Sequence, residues 1–121
     1  MRNVALCAVL VFATVGLTAA RANHKVLRGE AIYYSNAYKG ATMACGGKYQ
    51  PWKMVAAHRK LPCGTRLKVK NRANGNIVIV TVKDRGPYGD KGTILDVSRR
   101  AARKLDFVSA GRADVRAVVL H

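Results

Sequence analysis

The sequence predicts a small, mainly β domain: a barrel of short strands carrying one short helix. Three observations carry this. Residues 77–82 (IVIVTV) form an uncharged, β-branched run, and residues 65–70 (TRLKVK) alternate as a half-buried strand should. Asn74-Gly75 lies between them and signals a hairpin. Only residues 99–105 show helical spacing of apolar positions, with Ser98 placed to cap the first turn.

The remaining elements follow in order. Residues 29–34 (GEAIYY) alternate as a first strand, and residues 36–47 are turn-rich and read as a long loop. Residues 53–57 are apolar enough to pack. Pro62 and Gly64 punctuate the chain before the hairpin, and Gly86-Pro87 ends its second strand. Residues 93–97 read as a short strand before the helix, and residues 113–120 as a last one. No internal repeat or linker divides the domain.

The N-terminus reads differently. Arg2 precedes an uncharged, mostly apolar run over residues 4–20, and Ala20-Arg21-Ala22 offers a small-residue cleavage site. Residues 1–22 therefore read as a secretory signal peptide, with a membrane anchor as the alternative. Cys7 lies too early for lipid attachment. The domain proper is 23–121, expected as a monomer outside the inner membrane, periplasmic or extracellular. It keeps two cysteines, Cys45 and Cys63. In an oxidising compartment such a pair reads as a disulfide, stabilising by roughly 3 kcal/mol in the chain-entropy model. Two buried thiols or half of a metal site are the alternatives, and a metal site lacks further ligands at suitable spacing. No metal and no cofactor are expected.

The chain has 22 Lys and Arg against six Asp and Glu, a formal charge of +16. Such a field gathers polyanions. No zinc knuckle, RNA-binding signature or sustained basic helix is present, so nucleic acid is not the expected partner. Wall glycan, teichoic acid and anionic lipid fit an exported protein better.

Against this charge, Asp84 stands out. It ends an apolar strand and enters a Gly-Pro turn in residues 82–88 (VKDRGPY). It is either a catalytic carboxyl or a turn cap. As a general acid it needs a raised pKa, hence apolar walls such as Tyr33, Tyr34 or Tyr88. Strand alternation would turn Lys83 and Arg85 away from it. His58, in residues 56–65 (AAHRKLPCGT), is a site partner or a satisfied core residue. Asp96 is a groove residue or a helix-start residue near Ser98. Tyr33, Tyr34, Tyr49 and Trp52 are sugar platforms or core.

These segments, with residues 29–34, Asn74-Gly75 and residues 94–102 (ILDVSRRAA), resemble the RlpA (rare lipoprotein A) family in order and spacing. The resemblance implies a six-stranded double-psi β-barrel with one or two short helices, related to expansins and to family 45 glycoside hydrolases. It implies a peptidoglycan lytic transglycosylase that cleaves the β-1,4 bond between N-acetylmuramic acid and N-acetylglucosamine and leaves 1,6-anhydro ends. On that pattern Asp84 falls on the catalytic acid and His58 on its partner. Asp96, Tyr34, Arg85 and Tyr88 are expected to contact the glycan. The sequence also departs from the pattern. Gly47 stands where many members carry an acid, Lys39 where a His is common, and Asp106 where a Gly follows the helix. The missing acid makes a non-catalytic, expansin-like glycan-binding or loosening module the alternative function.

Overall fold

The computed structural model describes residues 24–121; the signal-peptide reading of residues 1–22 lies outside them. Six strands form a closed barrel: β1 (Val26–Tyr33), β2 (Val55–Ala57), β3 (Arg66–Asn71), β4 (Ile77–Asp84), β5 (Thr93–Val97) and β6 (Ala113–Val119). Around the barrel they run β1-β5-β2-β4-β3-β6, so each strand is hydrogen-bonded on both sides. This is the expected mainly β barrel with one short helix. Two parallel pairs, β1 with β5 and β2 with β4, interrupt an otherwise antiparallel ring.

Alternation fills the barrel. Leu67 and Val69 of β3, Val78, Val80 and Val82 of β4, Leu95 and Val97 of β5, and Val115 and Ala117 of β6 point inward and are buried. Helix α1 (Arg99–Lys104) closes one end through Ala101, Ala102 and Leu105. Ser98 caps it as expected, its hydroxyl accepting from the Ala101 N–H. Asp106 follows the helix with φ of 59°, the left-handed region where the family pattern favours glycine.

Two elements differ from expectation. β1 begins at Val26 rather than Gly29. Residues 26–31 pair with β6 and residues 30–33 with β5, whose register shifts between Glu30 and Ala31. The charged Arg28 and the glycine hid the start of the strand from the pattern. Gly29 sits where a side chain would collide, since an added Cβ would lie 2.8 Å from the Gly92 carbonyl oxygen. The β3–β4 hairpin forms, but with a longer turn over residues 72–76, which the helix end holds. The Asn71 and Asn74 amides both donate to the Leu105 carbonyl, at 2.8 and 3.0 Å.

β2 is buried on both faces. Ala56 faces the barrel. Val55 and Ala57 face outward, beneath residues 35–54, which fold over the barrel wall and bury Tyr34, Met43 and Tyr49 against them. This second, outer cluster is the floor on which the site is built. The Cys45–Cys63 disulfide is present and ties that covering segment to the chain before β3.

Candidate active-site cleft

The central strand of the site is β2, and Ala57 is its pivot. Ala57 is the register partner of Asp84 on β4 and of Asp96 on β5. Register partners present their side chains on one face. The two carboxylates therefore flank one alanine, with their Cα atoms two strand spacings, about 9–10 Å, apart. A methyl group between them leaves open space.

A bulge puts Asp84 there. Ala56 pairs with Val82, but Ala57 pairs with Asp84, so Lys83 is an extra residue in β4. Plain alternation from Val78, Val80 and Val82 would aim Asp84 into the barrel. The extra residue turns it to the outer face instead. Asp96 needs no such device, because it alternates with the inward Leu95 and Val97.

The two carboxylates line one open cleft of about 300 Å³, together with Tyr34, Tyr38, Met43, Tyr49, Arg85 and Tyr88. Their surroundings differ. Asp84 accepts three hydrogen bonds: from the Ala44 N–H at 2.8 Å, from the Arg85 N–H at 2.9 Å and from the Tyr34 hydroxyl at 2.6 Å. Of the walls expected around it, Tyr34 and Tyr88 are present, and Tyr34 meets Asp84 as a hydrogen-bond donor rather than as an apolar surface. Asp96 keeps a buried Oδ1 with no partner among the described residues. Burial first, then the nearby Asp84 charge, push its carboxyl up to about 7. Asp96 is thus a groove residue; the helix start is capped by Ser98.

Arg85 turns its guanidinium away from Asp84, as needed, but the strand does not continue to put it there. The group donates to the His58 carbonyl at 3.1 Å and to the Leu61 carbonyl, near Cys63 Sγ. Arg59 ties the other side of the 84–91 loop by donating to the Pro87 carbonyl at 2.9 Å.

Tyr34 is the aromatic that spans the site. It stacks on Tyr49 with ring centroids 4.3 Å apart. Burial and its bond to Asp84 raise its phenol well above the ordinary value, so it stays a donor. Tyr88, 72% exposed, forms the rim. The other candidates part company. Tyr49 is fully buried under Tyr34, and its oxygen accepts from the Arg99 N–H. Tyr33 lies on the helix side, donating to the Val108 carbonyl and packing on Phe107. Trp52 sits outside the cleft beneath Lys39.

His58 is not among the residues lining the cleft. Its Nδ1 accepts from the Lys60 and Leu61 N–H groups, both at 3.0 Å, and its backbone N–H donates to the Asp84 carbonyl. Burial, then Arg59, Lys25 and Arg85, lower its pKa, consistent with a neutral acceptor ring. Its geometry is that of a loop former beneath the site. Sequence reasoning missed Tyr38, Met43, Ala57 and the Ala44 N–H. Tyr38 was visible as an aromatic in a polar turn. An alanine and a backbone donor give no sequence signal. No group of three His, Cys, Asp or Glu residues among those described could hold a metal.

Residues 26–117 match the family model described as lytic transglycolase. The chain belongs to the lytic transglycolase family. The RlpA resemblance read from its motifs is borne out by relatives of that name. A probable endolytic peptidoglycan transglycosylase RlpA from Aquifex aeolicus is 45% identical over 97 residues, covering 80% of this chain and 42% of the relative. One from Nostoc is 42% identical over 95 residues, covering 77% and 25%. The endolytic peptidoglycan transglycosylase RlpA of Vibrio cholerae is 41% identical over 92 residues, covering 76% and 35%. The chain thus spans less than half the length of these relatives. Among solved structures, a Clavibacter michiganensis expansin superposes with TM-score 0.63 at 28% identity, covering 80% of this chain and 51% of the expansin. A Streptomyces papain inhibitor shares the fold, with TM-score 0.65 at 23% identity, covering 80% and 96%.

Within this lytic transglycolase domain, Gly47 takes φ of 80° in the tight turn where the Met43 N–H donates to the Gly47 carbonyl. That turn contains Ala44 and Cys45. The glycine in place of the family's acid therefore shapes the loop that delivers a donor to Asp84.

Proposed function

We propose that this domain is a peptidoglycan lytic transglycosylase acting on glycan strands, with Asp96 and Asp84 as its two working carboxyls. The observation that carries this reading is their placement on either side of Ala57 in one cleft, one carboxyl held by donors and one desolvated. Asp96 carries the proton, which gives it the acid role that sequence alone assigned to Asp84. As the C1–O bond of the muramic sugar breaks, that proton passes to the leaving glycosidic oxygen. The C6 hydroxyl then closes on C1, and its proton returns to the Asp96 carboxylate. No water is consumed. Asp84, fixed by its three donors, faces the positive charge that develops at C1. Tyr34 and Tyr88 offer ring surface to the sugars, Arg85 shapes the loop that carries Tyr88, and His58 supports Asp84 through the backbone. The site calls for no cofactor. The domain works as a monomer outside the inner membrane. No described helix is long and apolar enough to cross a membrane.

Gly47 favours a second reading, an expansin-like module that grips or loosens glycan without cutting it. Incubating residues 23–121 with peptide-free glycan strands decides between them by mass spectrometry of the products. Anhydromuramic ends that vanish in Asp96→Asn support the enzyme. Strand binding without such ends, equal in wild type and both Asp→Asn variants, supports the module.

A further inference from the structure

The barrel wall opposite the cleft carries a second surface. The cleft centres on β2, and β6 lies three strands away in either direction. On the outer face of β1, β6 and β3, Arg28 pairs in register with Arg116, and Arg116 with Lys70. Three cations thus stand side by side across neighbouring strands, an arrangement that costs stability through like-charge repulsion. None has a carboxylate partner among the described residues, where the ion pairs are Arg72–Asp114 and Arg112–Glu30.

The row ends on Ile77, which is 49% exposed. The next row runs Val26, Val118, Lys68, Ile79, and Ile79 is 46% exposed. A groove of about 390 Å³ is lined by Arg116, Lys70 and Ile77 of one row and by Val118 and Lys68 of the next. The face therefore joins unpaired cations to exposed branched apolar side chains.

We propose that this face docks on an anionic lipid bilayer, its cations on headgroup phosphates and Ile77 and Ile79 in the interfacial layer. A phosphate-rich polymer in water would satisfy the cations but give the isoleucines nothing. A bilayer surface satisfies both. Seated this way, the domain points its cleft away from the membrane. The inference does not depend on what the cleft cuts.

Residues 23–121 contain the closed barrel, and their co-sedimentation with vesicles tests the proposal. Vesicles of phosphatidylcholine with one-quarter phosphatidylglycerol should bind the domain, and pure phosphatidylcholine should not. Raising salt from roughly 0.05 to 0.5 M should release it. Each cation is worth about fivefold in partitioning, so Arg28→Gln/Lys68→Gln/Lys70→Gln should bind roughly 100-fold more weakly. Its melting temperature should hold or rise as like charges are removed. Ile77→Ser/Ile79→Ser should lose about tenfold. Failure of wild type to bind the anionic vesicles, or an undiminished triple variant, overturns the proposal. So does an isoleucine variant that binds like wild type and is displaced equally well by soluble polyphosphate, because the face would then serve a polymer.

Discussion

The β4 and β5 sides of the cleft hold the same functional group in opposite settings. On the β4 side Asp84 is reached by two backbone N–H groups and a phenol. On the β5 side Asp96 has a buried oxygen that no described residue reaches. Both pair with Ala57, so position relative to the sheet does not separate them. What separates them is what reaches them: the Arg85 N–H and the Tyr34 hydroxyl from the strand ends, and the Ala44 N–H from the covering loop. Residues 35–54 deliver a donor to one carboxylate and only cover to the other. The lesson is that two aspartates flanking one alanine can be given opposite surroundings by one loop N–H, one neighbouring N–H and one phenol.

The largest test of that division is activity. Asp96→Asn should cut formation of anhydro ends by about 10²–10⁴-fold. In wild type, activity should fall as pH rises through about 7, where Asp96 loses its proton. Residual turnover in Asp84→Asn should keep a falling limb, moved to lower pH because the Asp84 charge no longer helps to hold the Asp96 proton. A limb that vanishes in Asp84→Asn would hand the proton to the other side of the cleft.

Next comes the shared pivot. Ala57→Leu should fill the space between the carboxylates and destabilise the fold by about 1–3 kcal/mol, read from denaturant midpoints. Strand binding should fall with it. Tyr34→Phe removes one of Asp84's three donors but nothing from Asp96's buried oxygen. We expect about a tenfold loss of turnover, from a barrier change near 1.4 kcal/mol, with the pH limb unmoved. A displaced limb would mean that the phenol governs both sides.

The smallest effect is the pH dependence of stability, where two groups oppose each other. Asp96 binds its proton more tightly folded than unfolded. Its contribution is greatest below the ordinary carboxylate range and is lost as pH rises to about 7. His58 binds its proton less tightly when folded, so its contribution is lost as pH falls below the ordinary imidazole value. Thermal melts across pH should flatten on the first account in Asp96→Asn and on the second in His58→Ala. An unchanged slope in Asp96→Asn would mean that the β5 side is as well solvated as the β4 side.

Much of the fold was legible because inward positions alternate so regularly in β3 and β4. The site was legible as residue types, less so as roles. Asp84, Asp96, Tyr34, Arg85 and Tyr88 all reach the cleft. The roles depend on desolvation, and that depends on how residues 35–54 lie over the barrel, which no local pattern encodes. His58 shows the same limit. Its motif marks it, yet its Nδ1 is spent on two backbone donors and the residue does not line the cleft. Tyr33 and Tyr34 are chain neighbours on opposite faces, and only the pleat decides which one meets the carboxylate.

The bulge at Lys83 gives the cleft an unusual kind of fragility. Asp84 faces outward because one more residue is counted into β4 than β2 can match. The site is thus written partly as a length. Substituting Lys83 should be tolerated, since its side chain holds no bond among those described. Deleting it should return Asp84 to the inward row of Val80 and Val82, leaving Asp-Arg-Gly-Pro intact to a motif search while a carboxylate enters the hydrocarbon interior. Denaturation curves of the deletion and of Lys83→Ala would show the contrast. A lineage carrying this barrel can vary the letter at position 83 but not the number of letters.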